Sequence, residues 1–289
     1  MTEYDIKELK SNGLMKQKEK DIFSLRLRIV GGFIKSDQLK KLAEIADKHG
    51  KGYVHLTTRQ GLEIPHVNFK NFEEVKKELL QVELEMGACG QRVRTVTACQ
   101  GAECSHGIID CLSLAREVDK KYFGIGGHPH KFKIAITGCP NACIKPQEND
   151  LGVMGRLKKK FIRENCNYCG ICAEICPVDA IKIDKDKEKL IFSADKCIGC
   201  GDCVYSCPTD AWQKRTEGYA IYAGGKMGKF PALGERVFDF IETTDEVMEI
   251  INKSLEFYKS EGIKGERFRT TLDRVGWDKY KEAVSRCWI

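Results

Sequence analysis

After a charged first stretch over residues 1–20, read as a short helix or arm, apolar and polar positions alternate from Phe23 onward. Leu25, Leu27 and Ile29 fall on one side, and Arg26 and Arg28 on the other. That period of two predicts a strand with one basic face, ended by Gly31-Gly32. Ser36 opens a helix whose apolar positions Leu39, Leu42, Ala43, Ile45 and Ala46 recur at helical spacing and stop at Gly50. Two short strands over 53–58 and 62–67 meet near Gln60-Gly61, and Asn71 opens a second amphipathic helix that runs to about Met86. Further on, 93–98 and 131–137 read as strands on either side of a helix over 108–120, with a short strand at 152–154. Lys158-Lys159-Lys160 marks a boundary before a cysteine-rich stretch. After it, 219–223 resumes as a strand into Gly224-Gly225, and three helical stretches near 244–260, 266–275 and 277–286 close the chain. The fold class is α+β.

The chain has 289 residues, room for two or three domains. No apolar run approaches the roughly 18 residues of a membrane span. The N-terminus lacks a basic-then-apolar leader, so the expected location is the cytoplasm. Fifteen cysteines are then the outlier, because disulfides are disfavoured in that compartment. Most of the thiols must ligate metal. A net charge of +6 suits an anionic ligand or an acidic redox partner but decides nothing alone.

The spacing of the thiols narrows the metal. Cys166-x2-Cys169-x2-Cys172-x3-Cys176-Pro177 recurs as Cys197-x2-Cys200-x2-Cys203-x3-Cys207-Pro208. This is the bacterial two-cluster ferredoxin run, in which the fourth cysteine serves the other cluster. One 4Fe–4S cluster falls to Cys166, Cys169, Cys172 and Cys207, and the second to Cys197, Cys200, Cys203 and Cys176. Zinc is the competing reading, but it prefers paired knuckles to two complete four-cysteine runs. Four more cysteines form Cys99-x4-Cys104 and Cys139-x3-Cys143, and their spacing alone supports either a further cluster or zinc.

Gly138-Cys139-Pro140-Asn141-Ala142-Cys143, followed by Asp150-Leu151-Gly152-Val153-Met154-Gly155, resembles the signature of the siroheme sulfite and nitrite reductase family. The stretches 25–32 and 56–60 are similar to that family's ferredoxin-like half-domain, and Gly224-Gly225-Lys226-Met227-Gly228 to its cofactor loop. A ferredoxin set between the last two motifs is the arrangement of the dissimilatory and small anaerobic sulfite reductases. The resemblance implies a half-domain over 1–86, a siroheme and 4Fe–4S binding core over 87–157 and 218–289, and an inserted two-cluster ferredoxin over 158–217. It implies siroheme and three 4Fe–4S clusters, one of them on Cys99, Cys104, Cys139 and Cys143, with Cys143 shared with the siroheme iron. The family's first cysteine pair is usually one residue wider, so the loop at Gly101 must absorb the difference.

The implied reaction is six-electron reduction of sulfite to sulfide, with nitrite to ammonia as the alternative. By motif, the basic groups that hold the oxyanion fall on Arg26, Arg94, Lys131 and Lys133, with Arg28 sharing the face of Arg26. Charge-assisted bonds of this kind gain strength in a water-poor site. Arg59 is expected on the carboxylates of siroheme, together with Gly224, Gly225 and Lys226. Cys89, Cys111 and Cys287 read as ordinary buried thiols. The six histidines have no metal spacing that outweighs the cysteine sites.

With no Gly-x-Gly-x-x-Gly fingerprint in the sequence, electrons must arrive from another protein, either a ferredoxin or dedicated iron–sulfur and flavin subunits. A homodimer or higher oligomer is expected, pairing the basic groups of one chain with the siroheme of another. Two other classes compete. A pure multi-cluster electron carrier would not need the Lys131-x-Lys133 pair, Arg94 or the glycine loop. Nucleic-acid binding would need a gathered basic and aromatic patch, which the sequence lacks.

Overall fold

The computed structural model describes residues 4–285. The first unit is a four-stranded antiparallel sheet backed by helices. Helix α1 (Ile6–Ser11) leads into β1 (Leu14–Lys16), β2 (Ile22–Arg26), α2 (Ser36–His49), β3 (His55–Leu56), β4 (Leu62–Asn68) and α3 (Phe72–Leu80), and the strand order is β1-β2-β4-β3. Phe23, Leu25, Leu42, Ile45, Ile64, Val75 and Leu79 fill its core.

Helix α2 ends at Gly50 as the sequence predicts, but its N-cap is Lys35, whose N–H donates to the Gln38 side chain at 2.9 Å. Helix α3 stops at Leu80, short of the expected Met86. Leu84 N–H folds back onto the Leu79 carbonyl, and Glu83 takes a left-handed turn at φ 58°. The alternation around Arg26 also breaks. Arg26 pairs with Glu63 on β4, but after the Leu27–Met86 bridge Arg28 N–H bonds the Glu85 carbonyl instead. Arg26 and Arg28 therefore part company.

The second unit is a five-stranded mixed sheet. Strand β5 (Thr97–Ala98), helix α4 (Cys111–Tyr122) and β6 (Ile134–Thr137) form a parallel crossover, and β7 (Leu151–Phe161) lies parallel to β6. The expected strands over 93–98 and 131–137 shrink to these short pieces, with a single bridge between Val93 and Phe132 ahead of them.

Strand β7 is far longer than 152–154. It runs straight through Lys158-Lys159-Lys160, which therefore form strand and not a linker. Within the cysteine-rich stretch lie α5 (Ile171–Glu174), β8 (Ile181–Asp184), β9 (Lys189–Phe192) and α6 (Asp202–Tyr205). Strand β10 (Trp212–Ala223) then returns antiparallel along the whole of β7, from Trp212 opposite Phe161 to Ala223 opposite Leu151. Strand β11 (Glu235–Ile241) completes the order β11-β10-β7-β6-β5, and α7 (Thr244–Glu261), α8 (Phe268–Val275) and α9 (Trp277–Ser285) cover it. Phe132, Tyr258, Phe268 and Tyr280 form a buried aromatic cluster with edge-on contacts beneath those helices. No helix among the described residues is long and apolar enough to cross a membrane.

Candidate active site

Where the two units meet, five basic side chains line one cavity of about 260 Å³: Arg26, Arg59, Arg94, Lys131 and Lys133, with Thr57 and Thr58. Lys131 and Lys133 reach it from either side of Phe132, which is fully buried behind them. The alternation expected of a strand holds there even though the regular strand begins at Ile134. Arg26 is held by Glu63 at 2.7 Å and donates to Cys89 Sγ at 3.0 Å. Arg94 donates to the Ala88 carbonyl at 2.8 Å, while its Nε is buried with no partner. Arg59 bonds the Asn149 side chain and, at 3.0 Å, the Thr95 carbonyl. Arg28 lies elsewhere, paired with Asp119 at 2.7 Å and with Glu85.

So many cations with so little countercharge disturb one another. Burial, followed by the fields of Arg59 and Arg267, pushes Lys133 down to about 8. Burial does the same to Lys131 and Arg94, and with Arg94, Arg267 and Arg26 nearby it takes Arg59 down to about 10. Behind this group Arg267 Nη2 donates to both oxygens of Asp150, at 2.8 and 2.9 Å, and the Lys133 N–H donates to the same carboxylate at 2.9 Å. A cavity walled by five cations, of which Arg26 alone is paired by a carboxylate and Arg94 has an unpartnered N–H, is built for an anion.

Sharing Thr57, Thr58 and Gly61 with it is a larger cavity of about 1300 Å³, lined by Cys99, Cys104, Cys139 and Cys143, by the apolar Phe33, Leu56 and Ile144, and by Gly31 and Gly32. It exceeds the roughly 300–1,000 Å³ of ordinary ligand pockets. The thiols of Cys99, Cys104 and Cys143 surround Cys139, which burial pushes up. Cys99 Sγ accepts from Gly138 N–H at 3.0 Å and lies 3.6 Å from Cys111 Sγ. The neighbouring Cys111 thiol draws Cys99 down to about 5. The short Cys99–Cys104 loop closes through Gly101 at φ 58°, where a Cβ would stand 2.6 Å from Cys111 N. Four converging thiols, one held near the thiolate form, beside a wide and partly apolar cavity fit a cluster next to a large planar cofactor. Gly224, Gly225 and Lys226 line neither cavity. A Cβ on Gly225 would meet the Gln147 and Asn149 backbone at 2.1 and 2.5 Å, so this loop packs behind the residue that holds Arg59.

In the cysteine-rich stretch, Cys166, Cys169 and Cys207 surround Cys172, which burial pushes up. Trp212 Nε1, buried and without a hydrogen-bond partner, lies near the same thiol. Burial raises Cys207, but the N–H groups of Trp212, Thr209 and Ala211 outweigh it and the thiol is held low. Four neighbouring thiols, one of them held low by N–H donors, fit an iron–sulfur cluster. Cys203 neighbours Cys197 in the same way. Cys287 lies outside the described residues.

Residues 89–288 match the nitrite and sulphite reductase 4Fe-4S domain, and residues 15–82 the nitrite/sulfite reductase ferredoxin-like half domain. The chain belongs to the nitrite and sulfite reductase family. It is 38% identical over 257 residues to the coenzyme F420-dependent sulfite reductase of Methanocaldococcus jannaschii, an alignment covering 88% of this chain and 40% of that protein. It is 31% identical over 284 residues to a subunit of the anaerobic sulfite reductase of Salmonella typhimurium, covering 91% of this chain and 83% of that one. Among solved structures, dissimilatory sulfite reductase I superposes with a TM-score of 0.76 at 21% identity, covering 91% of this chain and 69% of that one.

This nitrite and sulfite reductase chain also has site residues that its sequence did not point to. Arg267 and Asp150 are 117 positions apart and meet only once α8 packs on the sheet. Cys89 and Cys111 read as ordinary buried thiols, yet one touches Arg26 and the other Cys99. The Asp-Leu-Gly motif contains Asp150, but nothing local to it identifies Arg267 as its partner.

Proposed function

We propose that the chain reduces sulfite to sulfide in the basic cavity, with siroheme in the adjoining 1300 Å³ cavity and a 4Fe–4S cluster on Cys99, Cys104, Cys139 and Cys143. The observation that carries this reading is that Arg26, Arg94, Lys131 and Lys133 converge on a space sharing a wall with those four cysteines. When bound, siroheme and the cluster would supply an iron centre that accepts electrons singly, and Cys143 would be among the thiols that hold them. Arg26 and Arg94 hold the oxyanion by directed N–H groups, and Arg26 is fixed for this by Glu63. Lys131 and Lys133 add charge, and Lys133 Nζ, titrating near 8, is matched to give up a proton when an oxygen leaves as water. Arg59, anchored by Asn149, lines the basic cavity and not the 1300 Å³ one, so in this reading it adds charge beside the oxyanion, and the loop of Gly224, Gly225 and Lys226 keeps Asn149 in place.

Cys166, Cys169, Cys172 and Cys207 hold one ferredoxin cluster in this reading, and Cys197, Cys200, Cys203 and Cys176 the other. Together they bring electrons from a donor protein to the core. Both cavities belong to one chain, so a homodimer, where it forms, is not needed to bring the basic groups to the cofactor. Reduced cysteines in this number suit the cytoplasm.

The test is an anaerobic absorption spectrum of the purified protein, titrated with sulfite and then with nitrite. Tetrapyrrole bands perturbed by sulfite, with sulfide as product, are the expected result. Larger perturbation and faster turnover with nitrite would move the assignment to nitrite reduction to ammonia. Fully loaded clusters without a tetrapyrrole would leave an electron carrier.

A further inference from the structure

Lys159 stands near the end of β7, opposite Lys214 on β10, yet its ammonium does not extend into solvent. Its Nζ donates to Cys197 Sγ at 3.2 Å and lies close enough to Cys203 to oppose the upward push of burial on that thiol. The rings of Phe192 and Trp212 flank it, 4.7 and 5.2 Å from Nζ. Among the described residues no carboxylate pairs with it. On the same strand, Arg156 clamps the loop by donating to the carbonyls of Cys197 at 2.6 Å and Ile198 at 3.0 Å, and Leu157 N–H bonds the Gly199 carbonyl at 2.9 Å. The Cys197–Cys200–Cys203 set therefore rests on the core strand.

The Cys166–Cys169–Cys172–Cys207 set is held by N–H groups at Cys207, and among the described residues no ammonium bonds its thiols. Its basic neighbour, Lys185, is exposed and approaches the backbone at Gly170, with Nζ 3.9 Å from where a Cβ would stand. The two sets match in sequence pattern and differ in electrostatic surroundings.

A fixed positive charge beside an iron–sulfur cluster favours the more negative, reduced state, and potentials respond to nearby charge and solvent exposure. We propose that Lys159 raises the reduction potential of the cluster on Cys197, Cys200, Cys203 and Cys176 above that of its partner, so that electrons entering the outer cluster run toward the core. The inference rests on the two-cluster reading of this segment. Asp202 acts in the opposite direction at Cys200, but Lys159 bonds a thiol of the set directly and is held between two rings.

The experiment compares the wild type, Lys159→Gln, Lys159→Arg and Asp202→Asn as holoproteins, by iron content and by redox titration followed by electron paramagnetic resonance. In K159Q one insert cluster is to become about tenfold less reduced at a fixed potential, about 59 mV for one electron, while the other stays put. K159R is to keep the wild-type value, and D202N is to raise the potential of the cluster that K159Q lowers. Unmoved potentials in an iron-replete K159Q would overturn the proposal, as would K159R shifting as far as K159Q. If K159Q fails to hold iron, the wild type decides, and two insert clusters that titrate at one potential would count against the proposal. Too little iron in the wild type for two insert clusters would instead sink the cluster reading itself.

Discussion

Replacing Asp150 by Asn changes one oxygen to an amide and removes one charge in a fully buried position. In the wild type that carboxylate takes two contacts from Arg267 Nη2 and one from the Lys133 N–H, all between 2.8 and 2.9 Å. Burial pushes its pKa up, against the opposing pull of Arg267 and the Lys133 N–H. The Arg267 side chain is only 14% exposed, so water cannot solvate a guanidinium that has lost its partner. Removing one member of a buried pair costs about 3–5 kcal/mol. The amide oxygen still accepts one bond, which places D150N near the low end. At roughly 2 °C for each kcal/mol in a chain this large, the core transition should fall by about 6 °C in anaerobic calorimetry of the holoprotein. The double variant D150N/R267M removes both charges and should recover most of the loss, because an apolar replacement of a buried pair is often neutral. A loss below about 1 kcal/mol, or a double variant as unstable as the single one, would refute the view that Arg267 depends on this carboxylate.

Three further outcomes follow from the same geometry. Arg94→Ala should lower kcat/KM for sulfite by roughly 10- to 100-fold, the worth of a charged hydrogen bond, in steady-state assays with an artificial electron donor. Because Lys133 carries its charge only below its pKa of about 8, sulfite affinity read from the spectral titration should hold below that pH and weaken above it. Lys133→Arg should extend the tight range upward. Arg28→Ala strips the cation from Asp119, which is 1% exposed, so it should lower stability by about 3 kcal/mol in thermal unfolding while leaving the KM for sulfite unchanged.

Local pattern was enough to find the cysteine runs, the alternation of the lysines around Phe132 and most helices, because each is decided by spacing within a few residues. The breaks came where a distant partner decides. Lys158-Lys159-Lys160 looked like a polar boundary, but Lys158 covers the Phe240 ring at 4.1 Å and Lys159 covers Phe192 and Trp212. Their ammonium groups sit over aromatic rings, a contact that the letters hide. The separation of Arg26 from Arg28 depends on Glu85 and Met86 taking over as partners, which no period of two can announce. Arg267 is the extreme case, since its role exists only through the packing of α8.

The continuous pairing of β7 with β10 has a genetic corollary. At the far end of the ribbon Phe161 faces Trp212, and Ile162 N–H bonds the Ala211 carbonyl at 2.7 Å, so the chain leaves and re-enters the sheet at neighbouring points. A two-residue Asn-Gly turn could join those ends as a hairpin, deleting everything between them without reregistering either strand. The cysteine-rich segment is thus a cassette. A gene could gain or lose it in one event at the tip of a hairpin, and the core would keep its sheet order.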